Sequence, residues 1–248
     1  MKSYLSLVPI SAKVRKRQNR MTILCVIISI FLVTAIFSVA DMMIRTQSDR
    51  MTGKNGSWHI ELDGISQETA LKIAERDDVV SIGAVTIFNP DGELPYRMDG
   101  KRVVLYGIDQ SYLTMNSTGA AEGRFPQGMG EIMLSSNAAR VLQVAVGDTV
   151  TLRTPSGDWD FTVSGLGGVE ESYYSGQYSL MDAYLPRTAF AALMEQNNVH
   201  NLQTSYYVQF TSASKAAKAI PELTAQHNLP ENAVSENTGV MAIAGQSD

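Results

Sequence analysis

Residues 21–40 form an uninterrupted apolar run without a charged side chain, and no other pattern along the chain is as strong. A helix of about 20 residues spans about 30 Å, the thickness of the hydrocarbon core of a bilayer. A single segment there must be helical, because lipid offers the backbone no hydrogen-bond partners. We therefore predict a transmembrane helix over residues 21–43. It separates a short tail, residues 1–20, from the bulk of the chain.

The apolar pattern continues beyond the membrane surface. Residues 41–51 contain neither Gly nor Pro, and Met43, Ile44, Gln47 and Met51 recur at helical spacing. The glycines at positions 53 and 56 supply a stop signal, which predicts a stalk over residues 44–55. Two interpretations remain open at this point. The stalk is either a spacer or a lever that passes membrane motion to the outer domain.

The remainder reads as one mixed α/β domain over residues 56–238, so the predicted fold class is α+β, with one transmembrane helix and a stalk before it. Alternating or apolar runs predict strands, and capped 3.6-residue patterns predict helices. Turns are expected at 89–92 and 155–158, and a polar loop through 117–119. Strands are predicted at 58–62, 79–88, 102–108, 131–134, 149–153, 160–166 and 205–211, with a further strand end at 184–185. Helices are predicted at 67–76, 187–196, 214–226 and from Ser135 or Ser136 to about Leu142.

Charge sets the expected orientation. The first 20 residues carry six of the 20 basic side chains and none of the 25 acidic ones. Lys and Arg beside a span favour the cytoplasmic side, so the tail is predicted inside and the acidic bulk outside, with membrane lipid around the span. An acidic outer domain argues against a nucleic-acid partner. The single cysteine, Cys25, lies in the apolar run, which excludes an internal disulfide in the outer domain.

A cleaved signal peptide is the alternative to an uncleaved anchor. Residues 38–40 read Ser-Val-Ala, which resembles the small-residue cleavage pattern. The apolar run is longer than the 7–15 residues usual in a signal peptide, and the basic region before it is also long. The uncleaved anchor is therefore favoured, and cleavage after Ala40 would instead give a secreted binding domain.

Catalytic patterns are missing from the sequence. It contains no phosphate-binding G-x-x-x-x-G-K-[ST] loop, and its three histidines, at 59, 200 and 227, have no partner at metal-ligand spacing. We therefore predict that the chain is not an enzyme and holds no metal or cofactor. One loop, 167–178, mixes glycines, acids and tyrosines. Tyr173, Tyr174 and Tyr178 are candidate partner contacts, since tyrosine suits recognition; the alternative is a loop packed on its own domain.

Three segments carry a family resemblance. Residues 122–126 and 131–135 resemble the G-R-x-P…E-I-x-L-S segment of bacterial FtsX/MacB-type ABC transporter permeases. Residues 146–152 resemble the V-G-D-x-V-x-L run of the same proteins, and 161–165 the F-x-V-x-G strand that follows. The resemblance implies that residues 56–238 form an extracytoplasmic core domain of the MacB periplasmic type. Gly123, Gly128 and Gly130 of these motifs are expected to adopt backbone angles that side chains forbid, a scaffolding role.

The resemblance also implies a function. Such a chain would be a permease subunit in a bacterial (inner) cell membrane, and a cytoplasmic ABC ATP-binding subunit would bind the ATP. A second permease copy or a sister permease would complete the assembly, and the outer domain would move as a mechanical relay. Residues 239–248 resemble the approach to a missing second transmembrane helix, which implies a fragment of a four-span permease. The alternative is a complete single-pass sensor or binding protein.

Overall fold

The computed structural model describes residues 16–116, 120–167 and 180–244. Contacts divide the chain into two units, Met1–Asp49 and Arg50–Asp248. Helix α1, Lys16–Asn55, is 40 residues long and contains a candidate membrane span, Gln18–Met43, with a mean hydropathy of 2.9 and none of its apolar window buried. In the described part of the chain it is the one helix long and apolar enough to cross a membrane, as predicted.

The second unit alternates strands with short helices. Side-chain caps start most of the helices: Ser66, Asp109, Ser135 and Ser212 each accept a backbone N–H of the first turn. In chain order the elements are β1 (Ile60–Leu62), α2 (Gln67–Ala74), β2 (Val79–Phe88), β3 (Arg97–Met98), β4 (Lys101–Ile108), α3 (Gln110–Met115), β5 (Ala120–Gly123), β6 (Glu131–Leu134), α4 (Ser136–Leu142), β7 (Thr149–Thr154), β8 (Gly157–Gly167), β9 (Leu180–Pro186), α5 (Arg187–Gln196), β10 (Thr204–Phe210), α6 (Ala213–His227), β11 (Val234–Glu236) and α7 (Thr238–Ala244). Strands β7 and β10 alternate buried and more exposed positions, whereas β9, and β4 from Val103 onward, are buried almost throughout.

Strand β4 lies at the centre of the sheet. Along one edge it pairs in parallel with β9, from Arg102 opposite Leu180 to Ile108 opposite Pro186. Its other edge pairs with β3 at the start of the strand and with β2 at its end. The strands β4, β9, β6, β8, β7 and β3 close into a ring, and β2, β10, β1 and β11 extend the sheet away from it.

Two main cores follow from this topology. The ring encloses the larger core, in which Leu105, Ile132, Leu152 and Val163 are fully buried and helices α4 and α5 add further side chains. The smaller core lies where α2 and α6 cover the extended part of the sheet. A third cluster, which contains Tyr112 and Met133, lies around α3. The domain therefore has two helix-covered lobes that share one sheet.

The structure confirms most of the predicted elements and corrects two features. Residues 110–116, predicted as the start of a polar loop, begin with a helix because Asp109 caps it and its apolar side chains bury beside β2. The short strands β3, β5 and β11 were not predicted: β5 and β11 pair with strands distant in the sequence, and β3 is only two residues long. Strand β9, Leu180–Pro186, agrees with the predicted strand end at 184–185.

The expectation for the motif glycines holds at one position. Gly123 has φ of 74°, and a Cβ there would overlap the carbonyl oxygen of Ser164. Gly128 and Gly130 do not have positive φ, and a Cβ at Gly130 would meet nothing within 4 Å. The prediction was wrong for these two, because their loop follows backbone angles open to any residue.

Candidate functional site

The candidate site is the junction at which the chain leaves α1 and enters the outer domain. Helix α1 ends at Asn55, and Gly56 adopts φ of 81° while its N–H donates to the carbonyl of Thr52 at 2.9 Å. A Cβ at Gly56 would lie 2.7 Å from the carbonyl oxygen of Met115 and 2.8 Å from Cδ1 of Trp58. Glycine therefore lets the chain turn sharply while pressed against the end of α3.

Ser57 attaches this turn to α3. Its backbone N–H donates to the carbonyl of Met115 at 2.5 Å, and its hydroxyl donates to the same oxygen at 3.2 Å. The carbonyls of a last helical turn have no partner within the helix, so Ser57 satisfies one of them. The exit from α1 is thus hydrogen-bonded to the C-terminal end of α3.

Helix α3 is in turn fixed to the sheet. The Asp109 carboxylate accepts the N–H of Tyr112 at 2.8 Å and the N–H of Ala84 in β2 at 2.9 Å, which joins the start of the helix to the strand. Gly83 in β2 has no side chain, and a Cβ there would overlap the backbone of Tyr112. Burial raises the pKa of Asp109, although these N–H donors act in the opposite direction.

Aromatic rings form a second attachment beside α3. The ring of Trp58 meets Tyr207 edge-on at a centroid distance of 4.8 Å, and the ring of Tyr112 also meets Tyr207 edge-on, at 5.0 Å. The hydroxyl of Tyr207 donates to Oε1 of Glu61 at 2.7 Å. Burial raises the pKa of both Tyr207 and Glu61, so the phenol remains a donor at neutral pH.

Asn237 joins the two ends of the domain. Its side-chain N–H₂ donates to the carbonyls of Asn55 at 3.1 Å and Trp58 at 3.0 Å, and its backbone N–H donates to His59 at 2.9 Å. Its own carbonyl accepts the N–H of Met241 at 2.9 Å, in the first turns of α7. Asn237 is 4% exposed, so these bonds are shielded from water.

Gly239 allows the start of α7 to lie close to Asn55 at the end of α1. A Cβ at this position would overlap the side-chain nitrogen of Asn55. The side chain of Asn55 at the end of α1 therefore lies directly against the start of α7, and a larger residue at position 239 would displace that side chain. Sequence reasoning missed Asn237 and Gly239; the available signal was an asparagine just before a helix start, the usual place of a capping residue.

His59, at the same junction, is a core histidine. It is 8% exposed, and its Nδ1 accepts the N–H of Phe210 at 3.1 Å. Burial lowers the pKa of His59, which keeps the ring neutral and able to accept this bond. No cluster of three or more His, Cys, Asp or Glu side chains suited to a metal occurs among residues 16–116, 120–167 and 180–244.

The other sequence candidates have different outcomes. Tyr173, Tyr174 and Tyr178 lie outside the described residues.

The Gly-Arg-Phe-Pro motif is structural: Arg124 binds both carboxylate oxygens of Glu131, which also accepts the N–H groups of Gln127 at 2.8 Å and Gly128 at 3.1 Å. The guanidinium and these donors lower the pKa of Glu131 to about 2. The scaffolding interpretation of this segment therefore holds, even though two of its glycines do not contribute as expected.

Comparison with known proteins relates this fold to a protein family. The family model of the MacB-like periplasmic core domain matches residues 21–226. The periplasmic region of MacB from Actinobacillus actinomycetemcomitans superposes with a TM-score of 0.54 at 15% identity, covering 78% of this chain and 94% of that one. The extracellular domain of the noncanonic ABC-type transporter YknZ from Gram-positive bacteria superposes with a TM-score of 0.48 at 17% identity, covering 69% of this chain and 88% of that one.

A domain of a permease protein from Porphyromonas gingivalis, described as putative, gives a TM-score of 0.45 at 18% identity, covering 72% of this chain and 85% of that one. No curated protein matches the chain significantly. The family match covers most of the sequence, and the helix with its mixed α/β domain agrees with it. The chain belongs to the MacB-like periplasmic core domain family, the outer domain of ABC transporter permeases.

Proposed function

We propose that this chain is the N-terminal part of an ABC transporter permease in which ATP-driven motion of membrane helices moves the outer domain. The observation that carries the proposal is the side chain of Asn237, which binds the carbonyls of Asn55 and Trp58 from the start of α7. A membrane helix ends at Asn55, and α7 begins at Thr238. Displacement of either segment would therefore act on the same buried residue.

The route of force into the domain follows the contacts at the junction. A shift of the α1 terminus acts on Met115 through the two hydrogen bonds of Ser57, and hence on α3. Helix α3 is bonded to β2 through Asp109, and β2 pairs with both β4 and β10. Packed elements transmit displacement with little compression, because protein interiors are as dense as organic crystals. Both lobes would then move with the end of α1.

The proposed partners follow from this mechanism. A cytoplasmic ATP-binding subunit would bind and hydrolyse ATP, so this chain would carry no cofactor and no catalytic residue. A second permease copy or a sister permease would complete the assembly, and no nucleic acid would take part. The basic residues before the span favour a cytoplasmic N-terminus in a bacterial (inner) cell membrane, with export or another envelope process as the outcome.

Topology and partner can be tested together in intact cells. Protease added from outside should digest the outer domain but spare an epitope tag at the N-terminus, and mild detergent should release the protein together with an ABC ATP-binding subunit. An outer domain that resists digestion until the cells are lysed would overturn the orientation. A mature N-terminus at Asp41 would support the secreted alternative, and purification without any ATP-binding subunit would support the single-pass sensor.

A further inference from the structure

A groove on the outer domain is lined by α5, by the loop that follows it and by strands β2 and β10. Thr86 and Thr204, from the neighbouring strands β2 and β10, lie at its floor, and α5 forms one wall. Its volume is about 420 Å³, within the range of about 300–1,000 Å³ typical of small-ligand sites. A smaller hollow of about 90 Å³ near α2 shares the side chain of Arg187 with it.

Opposite charges mark the two ends of the wall. Arg187 and Glu195 both line the groove from α5, eight positions apart, which places their Cα atoms about 12 Å apart along the helix. Between them the same wall presents Phe190, Ala191 and Met194. The groove therefore offers a cation, an apolar stretch and an anion in one line.

Neither charge is used by an ion pair within the part of the chain that the structure describes, where no oppositely charged side chain lies within 4 Å of Arg187 or Glu195. Arg187 feels the field of Asp109, but that carboxylate already accepts the N–H groups of Ala84 and Tyr112. Arg187 is half-buried, so a ligand carboxylate would meet it in a partly desolvated setting, where charge-assisted bonds are stronger than in water.

The floor supplies a hydrogen-bond donor. The hydroxyl oxygens of Thr86 and Thr204 lie 2.7 Å apart, and one proton suffices for the bond between them. The other hydroxyl proton of the pair remains able to turn toward a ligand. A carbonyl group lying along the groove between its charged ends would accept this proton.

We propose that the groove binds a short extended peptide with free ends, its carboxylate on Arg187 and its amine on Glu195. An extended chain rises about 3.3 Å per residue, so about four residues match the 12 Å between the charged ends. Small apolar side chains would cover Phe190, Ala191 and Met194, and a peptide carbonyl would face the threonine pair. This inference goes beyond the mechanical role and does not depend on it.

The test uses tetra-alanine and its capped forms. Binding to the 248-residue chain in nanodiscs is measured by isothermal titration calorimetry for the free, N-acetylated, C-amidated and doubly capped peptides, with empty nanodiscs as blank. Each cap should weaken binding about tenfold, because each removes one charge-assisted contact. Absence of saturable binding by tetra-alanine, or affinities that do not depend on the caps, would overturn the proposal.

Variants assign each end of the peptide. Arg187→Gln should abolish the discrimination between carboxylate and amide but keep that between amine and acetyl, and Glu195→Gln should do the reverse. Arg140→Gln and Glu122→Gln remove exposed charges outside the groove and should leave all four affinities unchanged. Ala191→Trp should fill the groove and abolish binding without lowering the melting temperature. Equal weakening of all four peptides by Arg187→Gln and Glu195→Gln would show a structural role for these residues and contradict the assignment.

Discussion

The side-chain nitrogen of Asn237 donates a hydrogen bond to the carbonyl oxygen of Asn55 across 3.1 Å, although 182 positions separate the two residues in the sequence. The same nitrogen donates a second hydrogen bond to the carbonyl oxygen of Trp58 at 3.0 Å. One buried amide thus holds the end of α1 and the beginning of α7 to each other.

Removal of the Asn237 side chain should destabilise the domain. Asn237→Ala leaves the carbonyls of Asn55 and Trp58 without their side-chain donors, and we expect a loss of about 2 kcal/mol in the free energy of unfolding. Denaturant titration followed by tryptophan fluorescence measures this loss. Asn232→Ala changes an exposed asparagine five positions earlier and should cost less than about 0.5 kcal/mol. Equal stabilities for the two variants would contradict the structural importance of the contact.

The two glycines at the end of α1 should respond in opposite directions. Gly56→Ala places a Cβ at positive φ against Met115 and should destabilise the domain by about 1–2 kcal/mol. Gly53→Ala lies within the helix with nothing within 4 Å of the added Cβ and should stabilise by about 0.5–1 kcal/mol. Thermal unfolding of both variants measures the difference. A stabilising Gly56→Ala would mean that the turn at the helix end is not as described.

Glu131 should make the stability of the domain depend on pH in the acidic range. Its folded pKa of about 2 lies below the ordinary value of 4.5, so its stabilising contribution is complete above pH 4.5 and is lost as the pH falls toward 2. Glu131→Gln should therefore lower the melting temperature at pH 7, by the equivalent of about 1 kcal/mol because the ion pair is partly exposed. The difference from wild type should shrink below pH 4.5.

Glu122→Gln is the matched control for this series. Glu122 is an exposed residue of the same motif, and its replacement should leave the melting curve unchanged between pH 3 and pH 7. A Glu131→Gln variant whose deficit stays constant over that range would contradict the assigned role of the carboxylate.

His59 should add a second pH dependence, of the same sign, nearer neutrality. Burial lowers its folded pKa below the ordinary 6.5, so the unfolded chain binds the proton more readily. The neutral form contributes fully to the free energy of unfolding above pH 6.5, and that contribution is lost as the pH falls through 6.5 toward the folded pKa. His59→Leu should flatten this slope in a denaturant titration series from pH 5 to 8 and should also destabilise, since the N–H of Phe210 loses its acceptor.

His200→Gln replaces an exposed histidine and serves as the control for this slope. It should preserve the pH dependence seen in the wild-type protein. If His200→Gln removed the slope and His59→Leu kept it, the buried ring would not be its source.

Local patterns predicted the elements well where the signal lies within a few residues. The helix Arg187–Gln196 and the strand Val79–Phe88 have the predicted bounds, because helical spacing in one and a turn at Asn89 after the other are visible in the sequence. The helix Gln110–Met115 was missed because its stability comes from burial of Tyr112 and Met115 beside β2, which no local pattern reveals.

The junction was harder to predict than the fold. Asn237 and Gly239 matter through their contacts with Asn55 and Trp58, about 180 positions earlier, and the sequence alone gives no sign of this proximity. Glu131 is a second case. Arg124 and Glu131 are visible in the sequence motif, but their bidentate ion pair and the two backbone N–H donors to Glu131 appear only in the fold. Long-range contacts decide the junction, whereas the conformation of the loop between Arg124 and Glu131 decides the second case.

The proposed function depends on the contact of Asn237 with the end of α1, which would couple helix motion in the membrane to the outer domain. In the full-length permease with its ATP-binding subunit, spin labels at Lys101→Cys in each permease subunit, in a Cys25→Ser background, report the distance between the outer domains by double electron–electron resonance. We predict an ATP-dependent shift of this distance in wild type and in Asn232→Ala, and its loss in Asn237→Ala although ATP hydrolysis continues. An undiminished shift in Asn237→Ala would contradict the account.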